Sequence, residues 1–254
     1  MNNWFTVEKI DDITYAISEY KHWEETHCYL LIGDNKSLLI DTGLGIGNIK
    51  DVVCKLTNKE IQVVTTHAHW DHIGGHKYFK NIYIYYKEHK WLKEKFPIPL
   101  EVVKNNIIAK PCDFPDYFDI NKYEIFRAES IKKLYDIDEI DLGNRIIKII
   151  PTPGHSPGHI CFYDIKKKYL FSGDLIYKGK LDIFYPTTNP VDFLQSIRNV
   201  KKLDIYKVLP GHHEINISAT LVDDIDKGLT SLFEEGKLKH GQGIFKFDNF
   251  TIHV

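Results

Sequence analysis

The first third of the chain alternates apolar and polar positions at period two, broken by short polar clusters. Residues 4–10 and 13–18, the latter Ile13-Thr14-Tyr15-Ala16-Ile17-Ser18, keep that period on either side of Asp11-Asp12 and predict a hairpin of half-buried strands. Residues 27–33 and 37–41 predict a second hairpin, turning through Gly33-Asp34-Asn35-Lys36. A helix over 47–58 follows, then a buried strand over 61–66 built on Ile61-Gln62-Val63-Val64-Thr65. Beyond it the pattern predicts a short helix near 72–78, a strand near 82–86 and a helix near 87–95. Periodicity fails from about 96 to 130. It returns as a hairpin of 131–142 and 145–150 about Gly143-Asn144, and as strands at 159–164 and 168–172 about Lys166-Lys167-Lys168. A helix at 190–202, a strand at 206–209, a helix at 218–236 and strands at 243–247 and 250–253 complete the chain. The whole reads as a single α/β domain over 1–254 with a coarse duplication, two runs of strands each followed by helices.

Directly after the strand at 61–66 stands Thr66-His67-Ala68-His69-Trp70-Asp71-His72-Ile73-Gly74-Gly75, the Gly-Gly marking a turn. Any one of the thirteen histidines, taken alone, reads as a surface or satisfied core residue. Three imidazoles and a carboxylate within six residues read differently. Without a metal they would crowd polar groups whose burial is costly unless each is paired. Extended geometry carried to the strand end puts His67 and His69 on one face, continues the alternation to Asp71 and sends His72 elsewhere. One loop can then feed two adjacent metal ions. Upstream, Leu38-Leu39-Ile40-Asp41-Thr42-Gly43 leaves a carboxylate at another strand end. Asp41 reads equally as a turn former and as a group that orients a metal-bound histidine.

Composition narrows the partners. A net charge of −2 supplies no broad attraction to nucleic acid or to an anionic membrane, and no apolar run approaches a membrane span. Met1-Asn2-Asn3-Trp4 lacks the basic start and apolar core of a secretion signal, so a cytoplasmic protein is expected. Cys28, Cys54, Cys112 and Cys161 form no C-x-x-C pair and read as reduced, mostly buried thiols. The irregular excursion at about 96–130 carries Phe96, Phe114, Tyr117, Phe118, Tyr123 and Phe126. It either packs these aromatics on the body or forms a lid or pocket wall over the metals, and the second reading is preferred. Its charges nearly balance, which speaks against a groove for a polyanion.

The motifs taken together resemble those of the metallo-β-lactamase-fold hydrolases. They are His67-x-His69-x-Asp71-His72, then His155 in Pro-Gly-His, Asp174 in Ser-Gly-Asp and His212 in a second Pro-Gly-His, with Asp41 in Leu-Ile-Asp-Thr-Gly. The resemblance runs from about residue 5 to 236. It implies a four-layer αββα sandwich with two central mixed sheets. It also implies that His67, His69 and His155 hold a first metal, that Asp71, His72 and His212 hold a second, and that Asp174 bridges them. Two divalent ions, zinc first and iron or manganese next, suit such donors. A hydroxide bridging them would cleave a small ester, lactone or thioester, with Asp71 orienting the nucleophile and passing its proton to the leaving group. Tyr177 sits where acyl-homoserine lactonases of the superfamily carry a tyrosine, and reads either as an oxyanion donor or as a packing aromatic. His159 reads as support for the site, His213 as an exposed neighbour of His212, and His76 and Trp70 receive no role.

The same resemblance separates reactions. Asp174 argues against the antibiotic-hydrolysing lactamases, and His69 and the chain length argue against flavodiiron oxidoreductases. Glyoxalase-II-type thioesterases have a glycine-rich stretch with an arginine after the bridging aspartate. Here that stretch is Lys178-Gly179-Lys180-Leu181-Asp182-Ile183-Phe184-Tyr185-Pro186, which disfavours a glutathione thioester. A phosphodiesterase acting on a small substrate and a single-iron sulfur dioxygenase are the alternative readings. The expected partner is a small molecule. The oligomeric state is open, a homodimer included.

Overall fold

The computed structural model describes residues 4–128 and 130–254. Met1 to Asn3, at the start of the segment inspected for a secretion signal, and Glu129, in the excursion, lie outside the described residues. By its contacts the chain divides into two compact units, Met1–Leu134 with Leu142–Asn144, and Tyr135–Asp141 with Arg145–Val254.

The first unit is built on a mixed seven-stranded sheet in the order β1 (Thr6–Asp11), β2 (Thr14–Ser18), β3 (His27–Ile32), β4 (Ser37–Ile40), β5 (Ile61–Val64), β6 (Ile82–Tyr85) and β7 (Lys132–Leu134). The first four strands are antiparallel, and β4 through β7 run parallel. β3 and β4 are buried on both faces, which is why His27–Ile32 and Ser37–Ile40 read as near-continuous apolar runs. Helix α1 (Ile49–Leu56) crosses over between β4 and β5, begun by the Asn48 side chain accepting from Lys50 N, and buries Ile49 and Val53 one turn apart. Trp4, Leu30, Leu39, Val63, Ile84 and Leu92 belong to its core.

The second unit has a mixed five-stranded sheet in the order β13 (Lys207–Pro210), β11 (Tyr169–Gly173), β10 (Ile160–Asp164), β9 (Ile146–Pro151) and β8 (Glu139–Asp141). β11 and β13 are parallel and the remaining pairs antiparallel. Helix α5 (Pro190–Val200) starts with Asn189 accepting from Val191 N and Asp192 N and with proline in its first turn, where no amide proton is missed. It buries Phe193, Leu194, Ile197 and Val200, and α6 (Leu221–Glu234) buries Leu221, Val222, Ile225, Leu229 and Leu232. Each such side chain contributes about 1.5–3 kcal/mol relative to exposure.

Most predicted elements are present, and four readings need correction. The strand expected over 131–142 is two strands: β7 closes the first sheet, the chain turns at Tyr135, whose N–H donates to Asp138 Oδ2, and β8 opens the second. The excursion contains α4 (Leu100–Ile107), which follows α3 (His89–Lys93) and buries Val103 and Ile107. Its prolines and β-branched residues concealed that periodicity. A third, three-stranded sheet, β12 (Lys180–Asp182), β15 (Thr251–His253) and β14 (Ile244–Lys246), was not anticipated at its first strand. Of the four cysteines only Cys28 and Cys161 are buried, and Cys54 is exposed.

The buried ion pair of the second unit joins Arg145 to Asp164. Nε and Nη2 of Arg145 donate to Asp164 Oδ2 at 2.8 and 2.5 Å, and Oδ1 accepts from Lys166 N and Lys167 N in the β10–β11 turn. Removing the cation strands a desolvated carboxylate. Arg145→Ala is expected to lower unfolding free energy by about 3–5 kcal/mol, read from the denaturant midpoint. A shift under about 1 kcal/mol would show that the turn amides alone satisfy Asp164.

Candidate metal centre

In the first unit the motif leaves β5 extended and stays so to His69 (φ −82°, ψ 155°), where the short helix α2 (Trp70–Ile73; the labels α3 to α6 above follow it) begins. His67 and His69 therefore share a face, their ring centroids 4.5 Å apart. Asp71 arrives by the helical turn rather than by strand alternation, and the same turn brings His72 back to His67, with centroids 4.3 Å apart. Asp71 Oδ2 lies 3.4 Å from His72 Nε2. All four side chains are buried. Gly74 is helical (φ −60°), so it is not the turn expected from Gly-Gly. Its missing side chain matters because a Cβ there would strike the carbonyl of Leu44.

The supports fix which nitrogen each histidine presents. Asp41 closes β4 with φ +59°, a conformation that costs L-residues energy and that aspartate tolerates better than most. Its carboxylate accepts from Thr66 N (2.8 Å), Thr66 Oγ1 (2.7 Å) and His72 Nδ1 (2.9 Å). Of its two readings, the orienting one is what the geometry shows. Because the Thr66 hydroxyl gives its proton to Asp41, it accepts from His67 Nδ1 at 3.1 Å. Both imidazoles are thereby held with the proton on Nδ1 and the lone pair on Nε2, the form that ligates metal.

Three further groups brace this loop and were not found from sequence. Glu88, fully buried, accepts from Ala68 N at 2.6 Å, between the two histidines of His67-x-His69. His76 spans Thr42 Oγ1 (2.6 Å) and Thr65 Oγ1 (2.7 Å), tying the ends of β4 and β5, and burial lowers its pKa to about 3, so it stays neutral. Glu19 accepts from Trp4 Nε1 (2.6 Å) and Leu44 N (2.8 Å), and burial pushes its carboxyl up to about 7. The indole of Trp91 lies parallel to the His69 ring at 6.3 Å, while Trp70 packs into the core.

In the second unit three candidates meet by themselves. Asp174, at the end of β11, sets Oδ2 3.3 Å from His155 Nε2 and Oδ1 3.2 Å from His212 Nε2. One carboxylate thus offers each oxygen to a different imidazole, the disposition a bridging ligand needs. His155 donates from Nδ1 to the Asp182 carbonyl at 3.1 Å, again placing the lone pair on Nε2. His159 accepts from Asp174 N (3.1 Å), and its other nitrogen meets Thr152 Oγ1 (2.8 Å), which is support for the aspartate. His213 is half-buried at φ +64°, and His212 is the member of the pair facing Asp174.

Tyr177 lies beside the second group of candidate ligands. Its ring is buried 5.6 Å from that of His212, but the hydroxyl donates its only proton to the Lys180 carbonyl at 2.5 Å.

Buried imidazoles beside carboxylates, three of them held by hydrogen bonds at Nδ1 so that Nε2 is presented, fit divalent metal ions. Two such groups are present, His67 with His69 and His155, and Asp71 with His72, Asp174 and His212. The model of the metallo-beta-lactamase superfamily matches residues 23–212, and the chain belongs to that superfamily. Among its relatives is a human protein named acyl-coenzyme A thioesterase MBLAC2, 28% identical over 232 residues that cover 82% of this chain and 81% of that one. Solved structures agree in fold. The metallo-beta-lactamase IND-7 superposes with a TM-score of 0.67 at 17% identity, covering 91% of this chain and 100% of its own. The BLEG-1 B3 metallo-beta-lactamase gives 0.58 at 23% identity, covering 83% and 92%. The expected fold class is thus present. No helix among the described residues is long and apolar enough to cross a membrane.

If Asp41 sets the proton on His72, Asp41→Asn should disturb ligation without emptying the fold. Metal affinity is expected to fall about 10–100-fold, measured by chelator competition, with the melting transition of the metal-free protein little moved. Unchanged affinity would reduce Asp41 to a turn former.

Proposed function

We propose that the chain is a dinuclear zinc hydrolase of acyl thioesters of the coenzyme A kind. The observation that carries this reading is the similarity, along 82% of the chain, to a protein named as an acyl-coenzyme A thioesterase. The stretch Lys178–Pro186, without the arginine of glutathione-thioester enzymes, supports a different thiol. In this reading the two units are halves of one catalytic domain. His67, His69 and His155 hold one ion, Asp71, His72 and His212 the other, and Asp174 spans them. The unpaired thiols suit a reducing, cytoplasmic setting.

When bound, such ions supply a nucleophilic hydroxide near neutral pH and polarise the thioester carbonyl. The protein's own residues do the rest. Asp41, Thr66 and the Asp182 carbonyl hold Nδ1 protons so that Nε2 faces inward. Asp71, whose second oxygen is not needed for ligation, orients the attacking water and hands its proton to the departing thiolate sulfur. Tyr177 walls the site beside His212.

Metal content per chain by mass spectrometry, with a panel of acyl-CoA, lactone, aryl ester and bis-aryl phosphate substrates, tests this. Two zinc ions and preferential acyl-CoA turnover are expected. Phosphate diester turnover alone, or one iron with oxygen consumption and no hydrolysis, would replace it with one of the two alternatives. Asp174→Ala is expected to lose metal and to lower kcat/KM by at least about 100-fold. Tyr177→Phe is expected to hold kcat within about threefold, whereas a fall on the 100-fold scale of a lost oxyanion donor would return the phenol to the chemistry.

A further inference from the structure

The first unit contains a cavity of about 990 Å³ to which none of the seven candidate ligands contributes. Its walls come from the α3–α4 connection, from the segment 122–127 and from Lys77 just after the metal motif. Two features set it apart from an ordinary surface cleft.

Its floor is apolar and partly aromatic: Phe96, Pro97, Ile98 and Phe126 line it. Phe126 is braced from behind by the His76 ring, 5.3 Å away edge to face, and Phe96 is buried in the core. The floor is therefore backed by packed structure.

Its charges are sorted. Lys77, Lys95, Lys122 and Arg127 face a single carboxylate, Glu124. Among the described residues Lys77, Lys95 and Arg127 make no ion pair. Lys122 has only Asp119, at 3.6 Å, and Arg127 Nη1 is bound to the Glu94 carbonyl at 2.8 Å. Lys77 is exposed, its ammonium 3.5 Å from the Gly45 carbonyl and 5.3 Å from the centroid of the Tyr78 ring, so an anion in the cavity can reach it. The near balance of charge along 96–130 does not survive folding, because Asp113 and Asp116 do not line the cavity.

An apolar, partly aromatic lining beside an excess of cations over carboxylates complements a planar base carrying phosphates. A volume near 1,000 Å³ lies at the upper end of small-molecule sites. The geometry points to this cavity as the seat of the phosphorylated adenosine of a coenzyme A thioester, with the purine against Pro97, Ile98 and Phe126 and its phosphates among Lys77, Lys95, Lys122 and Arg127. The inference rests on the thioesterase reading and gives it a specificity site. The flexible pantetheine arm lets the nucleotide sit well away from the carbonyl under attack.

The test compares two substrates with the same acyl group on the same sulfur, acyl-CoA and acyl-pantetheine, which lacks the nucleotide. The metal-loaded enzyme is expected to prefer acyl-CoA through KM. In Lys95→Glu/Lys122→Glu, both exposed positions, the ratio of kcat/KM for acyl-CoA to that for acyl-pantetheine is expected to fall about tenfold or more, and added salt should erode the parent's preference. A ratio unchanged by the charge reversal would overturn the assignment. Calorimetry with coenzyme A alone separates this from the activity. If neither thioester is hydrolysed, the thioesterase reading fails. Coenzyme A binding that the double variant loses would still support the cavity, and no binding to the parent would sink it.

Discussion

The Asp41 carboxylate is the constraint on which the metal loop depends. It stands at the end of β4 in a left-handed backbone conformation and gathers the Thr66 amide, the Thr66 hydroxyl and the His72 imidazole. The position is costly, and what it secures is direction. Thr66 is pinned by two bonds, so its hydroxyl has one orientation left, and that orientation turns to His67. A single aspartate therefore decides the proton positions of two imidazoles. The parallel β4–β5 pairing, with Ile40 opposite Val64, is what carries Asp41 to Thr66 in the first place.

The second unit solves the same problem with backbone. His155 is oriented by the carbonyl of Asp182, in β12, and that strand is held by pairing with β15 near the chain's end. The Asp182 side chain adds a bond to His253 Nδ1 at 3.0 Å, and the His253 ring stacks on Phe184. A small sheet that looks peripheral thus bears on a ligand. Asp174, in turn, is held at its amide by His159, whose partner Thr152 leans on Cys161. In both units the candidate ligands sit at or just beyond strand ends, and residues from elsewhere in the same unit, Asp41 for His72 and the Asp182 carbonyl for His155, orient them.

That arrangement explains what could be read in advance. The ligands announce themselves because they are close in sequence or set in recurrent Pro-Gly-His and Ser-Gly-Asp turns. Asp41 was legible as an option, since a carboxylate after an apolar run and before a glycine is conspicuous. Glu88 was not. It is one acidic residue among thirty-five, and only the fold brings it under the Ala68 amide. The split of 131–142 into β7 and β8 was hidden for a related reason. Both pieces carry strand-like residues, and the exposed Tyr135–Asp138 turn between them contains no glycine or proline. Tyr177 was singled out by analogy alone, and the bond of its hydroxyl to the Lys180 carbonyl is a contact that no sequence pattern announces.

The excursion at 96–130 shows why a charge count along the chain is a weak guide to recognition. The packing reading made of it holds for three of its aromatics. Phe114, Phe118 and Tyr123 pack inward, Phe114 against Trp4, and Tyr123 donates to the Leu44 carbonyl. Phe96 is buried in the core as well, and with Phe126 it lines a cavity to which none of the candidate ligands contributes. Leu44 is itself fastened at its amide by Glu19, and its carbonyl lies against Gly74 at the end of α2. The excursion is therefore tied to the structure beside the metal motif through Leu44, and through the contact of Phe126 with His76. A substrate handle seated on it would press on a wall with little freedom to move, so discrimination there would arise from charge and shape rather than from closure of the segment.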